Sequence, residues 1–187
     1  LTKCKIRSMN FGLLPKTLSR LCLGFNEIEN LDECNFKELK KCAPNLNELF
    51  MHHNMLKKLP DNSLNGLKSL KELGLDSNFI RVFDLSDLPQ SLRKLWLSNN
   101  SISDLDFEKL HRSCPSMVLL DLSFNNITVV EADAWPSLLE NFYISGNGIT
   151  ILDVDRIPKT LRILDIGGCD VTARVNSGSS SQAYSRL

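Results

Sequence analysis

The apolar residues of this chain recur with neither the 3.6-residue period of an amphipathic helix nor the alternation of a lone hairpin. In Met117–Val130, MVLLDLSFNNITVV, they fit the spacing L-x-x-L-x-L-x-x-N-x-L. Leu120 and Leu122 stand two apart, so in a short strand they share one face, while Asp121 and Ser123 share the other. Asn125 falls where the chain must turn. The pattern predicts a short strand with a buried face and a displayed face, followed by a tight corner.

The same template fits at Leu1 (Cys4, Ile6, Met9), Leu18 (Leu21, Leu23, Asn26, Ile28), Leu46 (Leu49, Met51, Asn54, Leu56) and Leu70 (Leu73, Leu75, Asn78, Ile80). It continues at Leu92 (Leu95, Leu97, Asn100, Ile102), Met117, Leu139 (Phe142, Ile144, Asn147, Ile149) and Leu161 (Leu164, Ile166, Cys169, Val171). Successive starts lie 17, 28, 24, 22, 25, 22 and 22 residues apart. The first interval is too short for a full unit, so residues 1–17 read as an irregular N-terminal turn or a truncated repeat, and 18–171 as the repeat array. Residues 172–187 lose the apolar period and read as a polar, mobile tail.

On these residues the chain resembles leucine-rich-repeat proteins. The resemblance implies an α/β fold: a right-handed solenoid of about seven or eight turns, arced like a horseshoe, with a concave parallel β-sheet and short helical or extended convex segments. Two longer units carry NFKELKKCAPNL (Asn35–Leu46) and DFEKLHRSCPSM (Asp106–Met117), each opening on a capping residue type, and these are expected to be convex helices. Other returns carry a proline shortly before the next strand, in LPKTLSRL, LPQSLRKL and IPKTLRIL, which suits an extended path.

The template's residue types have physical reasons. Paired aliphatics fill the space between coils, and a turn asparagine can hydrogen-bond backbone groups that would otherwise be buried without partners. Asn26, Asn54, Asn78, Asn100, Asn125 and Asn147 are expected to form that ladder. Phe25 and Phe124, one place earlier, are expected to pack into the stack of turns.

Function is left to the positions that the core does not use. The central outward row is Lys5, Cys22, Phe50, Gly74, Trp96, Asp121, Tyr143 and Asp165. Beside it run Arg20, Glu48, Glu72 and Lys94 on one flank, and Gly24, His52 and Asp76 on the other. Neighbouring parallel strands stand about 4.8 Å apart, so eight such sites would span roughly 34 Å, with the aromatics spread along the row rather than stacked together. Aromatic anchors between a basic section (Lys3, Lys5, Arg7, Arg20) and an acidic one (Glu48, Glu72, Asp76) have the make-up of a protein-binding face. Trp96, Tyr143 and Phe50 are the anchors expected, with His52, Glu48, Glu72, Asp76, Lys94, Asp121 and Asp165 around them. The bland reading is that the rings only cover neighbouring strands.

Composition narrows the partners. With 22 basic and 22 acidic residues the formal charge is zero, so no global field favours nucleic acid, and no apolar run reaches the length of a membrane span. Four of the six cysteines (Cys4, Cys42, Cys114, Cys169) fall at template or helix positions that suit a buried thiol, which leans towards a reducing compartment and leaves a secreted one open. Cys34 and Cys42 are the pair close enough in sequence for a local bridge. Sequons at Asn99 and Asn126 are no more than chance would supply.

A catalytic or metal reading finds little support in the pattern. His52 and His53 could be imagined with Glu48, Glu72 and Asp76, but adjacent strand residues face opposite ways, so only one histidine would join the carboxylates. No phosphate loop or nucleophile elbow is present, and no cofactor or metal is assigned. The reading is therefore a non-catalytic module that binds a protein or peptide on its concave face. The alternatives are the recognition arm of a larger enzyme or receptor, such as a repeat-bearing ubiquitin ligase or an innate-immune ectodomain, and a structural spacer. Apolar ends also leave end-to-end self-association open.

Overall fold

The structure, a computed structural model, describes residues 1–131, 134–153, 156–169 and 172–174. Its strands in chain order are β1 (Arg20–Cys22), β2 (Glu48–Phe50), β3 (Glu72–Gly74), β4 (Lys94–Trp96), β5 (Leu119–Asp121), β6 (Val129–Val130), β7 (Asn141–Tyr143), β8 (Ile151–Asp153), β9 (Ile163–Asp165) and β10 (Thr172–Arg174). Two helices accompany them, α1 (Glu33–Cys42) and α2 (Glu108–Ser113). β1, β2, β3, β4, β5, β7 and β9 form one seven-stranded parallel sheet in that order, and β6, β8 and β10 form a second parallel sheet among the return segments. The solenoid and its parallel sheet agree with the sequence pattern. β10 lies at the start of the segment expected to be a tail; Val171 and residues 175–187 lie outside the described residues.

Register follows from the repeat. Leu21, Leu49, Leu73, Leu95, Leu120, Phe142 and Leu164 pair in one row across the seven strands. The first six are buried, as are Leu23, Met51, Leu75, Leu97, Leu122 and Ile144 two places on, so each coil packs its aliphatics on its neighbours. Each such side chain stabilises the fold by about 1.5–3 kcal/mol. At the corners, Asn78 Nδ2 donates to the carbonyls of Met51 and Leu75, both at 3.0 Å, while its Oδ1 accepts from Leu56 N at 3.0 Å. Asn54, Asn100, Asn125 and Asn147 repeat this arrangement one coil at a time, and Asn26 accepts from Cys4 N and Ile6 N.

The return segments differ from expectation in detail. α1 begins before Asn35: Asp32 is the N-cap, and Asn35 answers it from the third helical position in a reciprocal capping box. Glu33 in its first turn and Lys40 and Lys41 in its last complement the helix dipole, and Phe36 and Leu39 face the core. α2 is a six-residue helix with no side-chain cap. Pro15, Pro89 and Pro158 do not lie in extended returns that run straight into the strand. Their carbonyls accept from Leu18 N, Leu92 N and Leu161 N, closing a tight turn just before it. Cys4 is exposed rather than a core residue, because residues 1–17 contribute a 3-10 turn (Phe11–Leu13) and no strand for another coil to cover. Cys42 is half-buried, Cys114 is buried, and all six thiols are free, Cys34 included.

Candidate binding face

The outward row on the seven-stranded sheet is Cys22, Phe50, Gly74, Trp96, Asp121, Tyr143 and Asp165, paired residue to residue. Lys5 does not belong to it, since its backbone is left-handed (φ 55°) and no strand forms there. Seven strands give a row of roughly 29 Å. Phe50, Trp96 and Tyr143 are each half-exposed on this face.

The aromatics are not evenly spread. Phe50 leans across Gly74, where a Cβ would lie 2.7 Å from its ring, and comes to 6.1 Å from Trp96 between centroids. One missing side chain thus joins two rings from strands that are not neighbours. Tyr143 stands two strands further on, about 10 Å away, between Asp121 and Asp165 in register. Those two carboxylates accept from the backbone of their own turns, Asp121 from Ser123 N and Asp165 from Gly167 N, both at 3.0 Å.

The charged flank is self-paired rather than divided into a basic and an acidic section. Arg20 Nε lies 2.6 Å from Glu48 Oε2, off the direction of a good hydrogen bond, and Lys94 Nζ lies 2.9 Å from Glu72 Oε1. Glu48 raises the Arg20 pKa above its ordinary value.

On the opposite flank, His52 and His53 both meet Asp76, contrary to the strand-alternation argument. β2 ends at Phe50, and His53 adopts a left-handed conformation (φ 53°) that turns its ring back towards the carboxylate. That position could have been recognised in the sequence. It is the residue before the turn asparagine, equivalent to Phe25, Ser77, Asn99 and Phe124, which all share positive φ. Phe25 and Phe124 are 42% and 63% exposed, yet each lies on the equivalent position of the next turn, Phe25 against His53 at 4.2 Å and Phe124 over Gly146. Phe25 also contacts His52, and Lys3 Nζ lies 5.4 Å from its ring centre.

The repeat has counterparts among known proteins. A model of two-copy leucine-rich repeats matches residues 90–132. Rabbit (Oryctolagus cuniculus) lumican is 35% identical over 162 residues, covering 71% of this chain and 77% of that sequence. The chain belongs to the leucine-rich-repeat family. Pig (Sus scrofa) fibromodulin is 30% identical over 117 residues, 63% of this chain and 75% of that sequence. Among solved structures, an internalin from Listeria monocytogenes superposes with a TM-score of 0.71 at 18% identity, over 91% of this chain and 48% of that one, which is a likeness of fold alone. The chain's kinship with lumican and fibromodulin supports a non-enzymatic repeat protein. Among its described residues no helix is long and apolar enough to cross a membrane.

Proposed function

We propose that the concave sheet binds a protein or peptide, anchored by the Phe50–Trp96 pair and by Tyr143. The observation that carries this reading is the pair itself. The core is filled from the other face of the same strands, so neither ring is needed there, yet both stay half-exposed 6.1 Å apart on the outward face. Large, rigid aromatic surface of this kind concentrates binding energy at protein interfaces, and losing one such anchor typically costs about 2 kcal/mol or more. Tyr143, with Asp121 and Asp165 to either side, supplies a second contact, suited to an extended segment with a basic or hydrogen-bonding group about 10 Å from its apolar one. The paired charges of Arg20–Glu48 and Lys94–Glu72 form one rim, and His52 with Asp76 the other.

The test compares proteins captured by the wild type with those captured by a Trp96→Glu, Tyr143→Glu variant that retains its circular dichroism and melting profile. A captured partner lost by the folded variant supports the concave site. Equal capture by both moves binding to the convex side or an end. Capture of nothing by either leaves the chain a spacer and ends the binding reading.

A further inference from the structure

Beside the aromatic row, three neighbouring coils bring together groups that the binding reading uses only as a rim. His52 and His53 follow β2, and Asp76 follows β3. One imidazole nitrogen from each histidine and one carboxylate oxygen of Asp76 all lie within 4.8 Å of one another, with His53 Nδ1 3.9 Å from Asp76 Oδ2. The preceding coil holds the rings in place. Phe25 packs edge-on against His52 at 5.1 Å and obliquely against His53 at 4.2 Å between centroids. Gly24 leaves the space that the His52 ring fills, since a Cβ there would stand 2.4 Å from it.

The donors are uncommitted. Among the described residues neither imidazole makes a hydrogen bond, and the 3.9 Å separation of His53 and Asp76 is too long for one. The half-buried Asp76 carboxylate faces both imidazoles, with His53 Nδ1 at 3.9 Å. Glu48 and Glu72, on the opposite flank of the row, are already paired with Arg20 and Lys94, and Asp121 accepts from Ser123 N.

We propose that His52, His53 and Asp76 form a zinc site on the rim of the concave face. Two imidazole nitrogens and one carboxylate oxygen are a donor set that zinc takes readily, and three protein ligands leave one tetrahedral position to water. Metal–ligand bonds of about 2.0–2.2 Å place ligand atoms roughly 3.4 Å apart. From separations of at most 4.8 Å, the ligand atoms need to close by up to about 1.4 Å to reach that spacing. The cation supplies the positive charge that the desolvated carboxylate lacks, and it ties consecutive coils together. The site stands on these residues alone and does not depend on the binding of a partner by the aromatic row.

The test titrates the whole, metal-free chain with zinc chloride, by calorimetry and by long-range 15N–1H spectra of the histidine rings. The expected result is one zinc per chain, with the His52 and His53 resonances shifting together. His111, which meets the Trp135 carbonyl at 2.9 Å elsewhere on the molecule, should stay in place. His52→Ala, His53→Gln and Asp76→Asn should each weaken binding by about 10-fold or more, and the exposed His53 makes its variant the safest for folding. Zinc should also raise the melting temperature of the wild type and not of these variants. No binding up to about 1 mM zinc overturns the proposal. So does wild-type affinity in all three variants, which would place the metal on the thiols.

Discussion

Replacing Asn78 by alanine tests what holds one coil to the next. Asn78 is 6% exposed and satisfies three backbone groups at 3.0 Å: the Leu56 N–H in the preceding corner and the carbonyls of Met51 and Leu75. Alanine leaves the buried N–H with no partner, at a cost of about 1–3 kcal/mol, and takes one bond from each carbonyl, at a smaller cost because a second lone pair remains. The sum is about 3 kcal/mol. Asn100 makes the equivalent three bonds, at 2.9, 3.0 and 3.1 Å, but it is only half-buried, so water can replace the lost amide. Its substitution should cost about 1 kcal/mol. In a chain of this size each kcal/mol shifts the melting point by roughly 2–4 °C, so Asn78→Ala should melt about 6–12 °C low and Asn100→Ala about 2–4 °C low. Urea unfolding followed by both circular dichroism and tryptophan fluorescence is the assay, because solenoids can unfold piecemeal and the two probes must coincide for a single free energy to apply. Equal losses in the two variants would refute burial as the source of the difference. A loss below about 0.5 kcal/mol for Asn78→Ala would refute the unsatisfied-backbone argument itself.

Three further outcomes follow from named groups. Gly74→Ala should drive Phe50 away from Trp96 with little change in stability, because the Cβ meets a movable ring and the backbone φ is ordinary; Trp96 fluorescence in a Trp135→Phe background reads the separation, and an unchanged spectrum counts against the contact. Burial pushes the Cys114 thiol up to about 12, so native-state alkylation at pH 8 should modify exposed Cys4 and Cys34 and spare Cys114, and its early labelling would contradict the packing. Asp76 has a raised folded pKa, so its contribution favours the fold below its unfolded value near pH 4 and is lost as pH rises through the folded value. In chelator-treated buffer Asp76→Asn should therefore raise the melting point at pH 7 and make no difference below about pH 3.5; a lowered melting point at pH 7 would mean that the histidines outweigh desolvation.

The strand phase and the register were legible in the sequence because the aliphatics two apart can only be satisfied by the same neighbour in every coil. That fixed which residues share the outward row from Cys22 to Asp165. What the rows do within themselves was not legible. Strand alternation was carried past Phe50 to His53, where the chain has already turned, and so it separated two histidines that the structure brings together. Position-by-position spacing also treats every outward residue as standing straight up, and it therefore spread apart rings that meet over Gly74. Cys4 fitted the template but is exposed, because residues 1–17 form a 3-10 turn and no strand. Charge signs suggested separate basic and acidic sections, whereas Arg20 and Lys94 each reach an acid on the adjacent strand.

Absent side chains organise this face as much as present ones. His52 fills the space over Gly24, Phe50 the space over Gly74, and Phe124 the space over Gly146. Gly146 has positive φ (65°), so its backbone alone accounts for it, but Gly24 and Gly74 do not. A glycine in a strand or at its end costs about 0.5–1 kcal/mol relative to alanine, and at Gly24 and Gly74 the offset is the seating of a neighbouring ring. The two seats are separate. Gly24→Ala puts a carbon 2.4 Å from the His52 imidazole and leaves Phe50 and Trp96 untouched, while Gly74→Ala does the reverse. If the rim histidines hold zinc and the aromatic pair holds a partner, Gly24→Ala should weaken zinc binding with partner capture intact, and Gly74→Ala should weaken capture with zinc binding intact. Loss of both functions from either substitution would show that the coils respond as one unit and that the two seats are not independent.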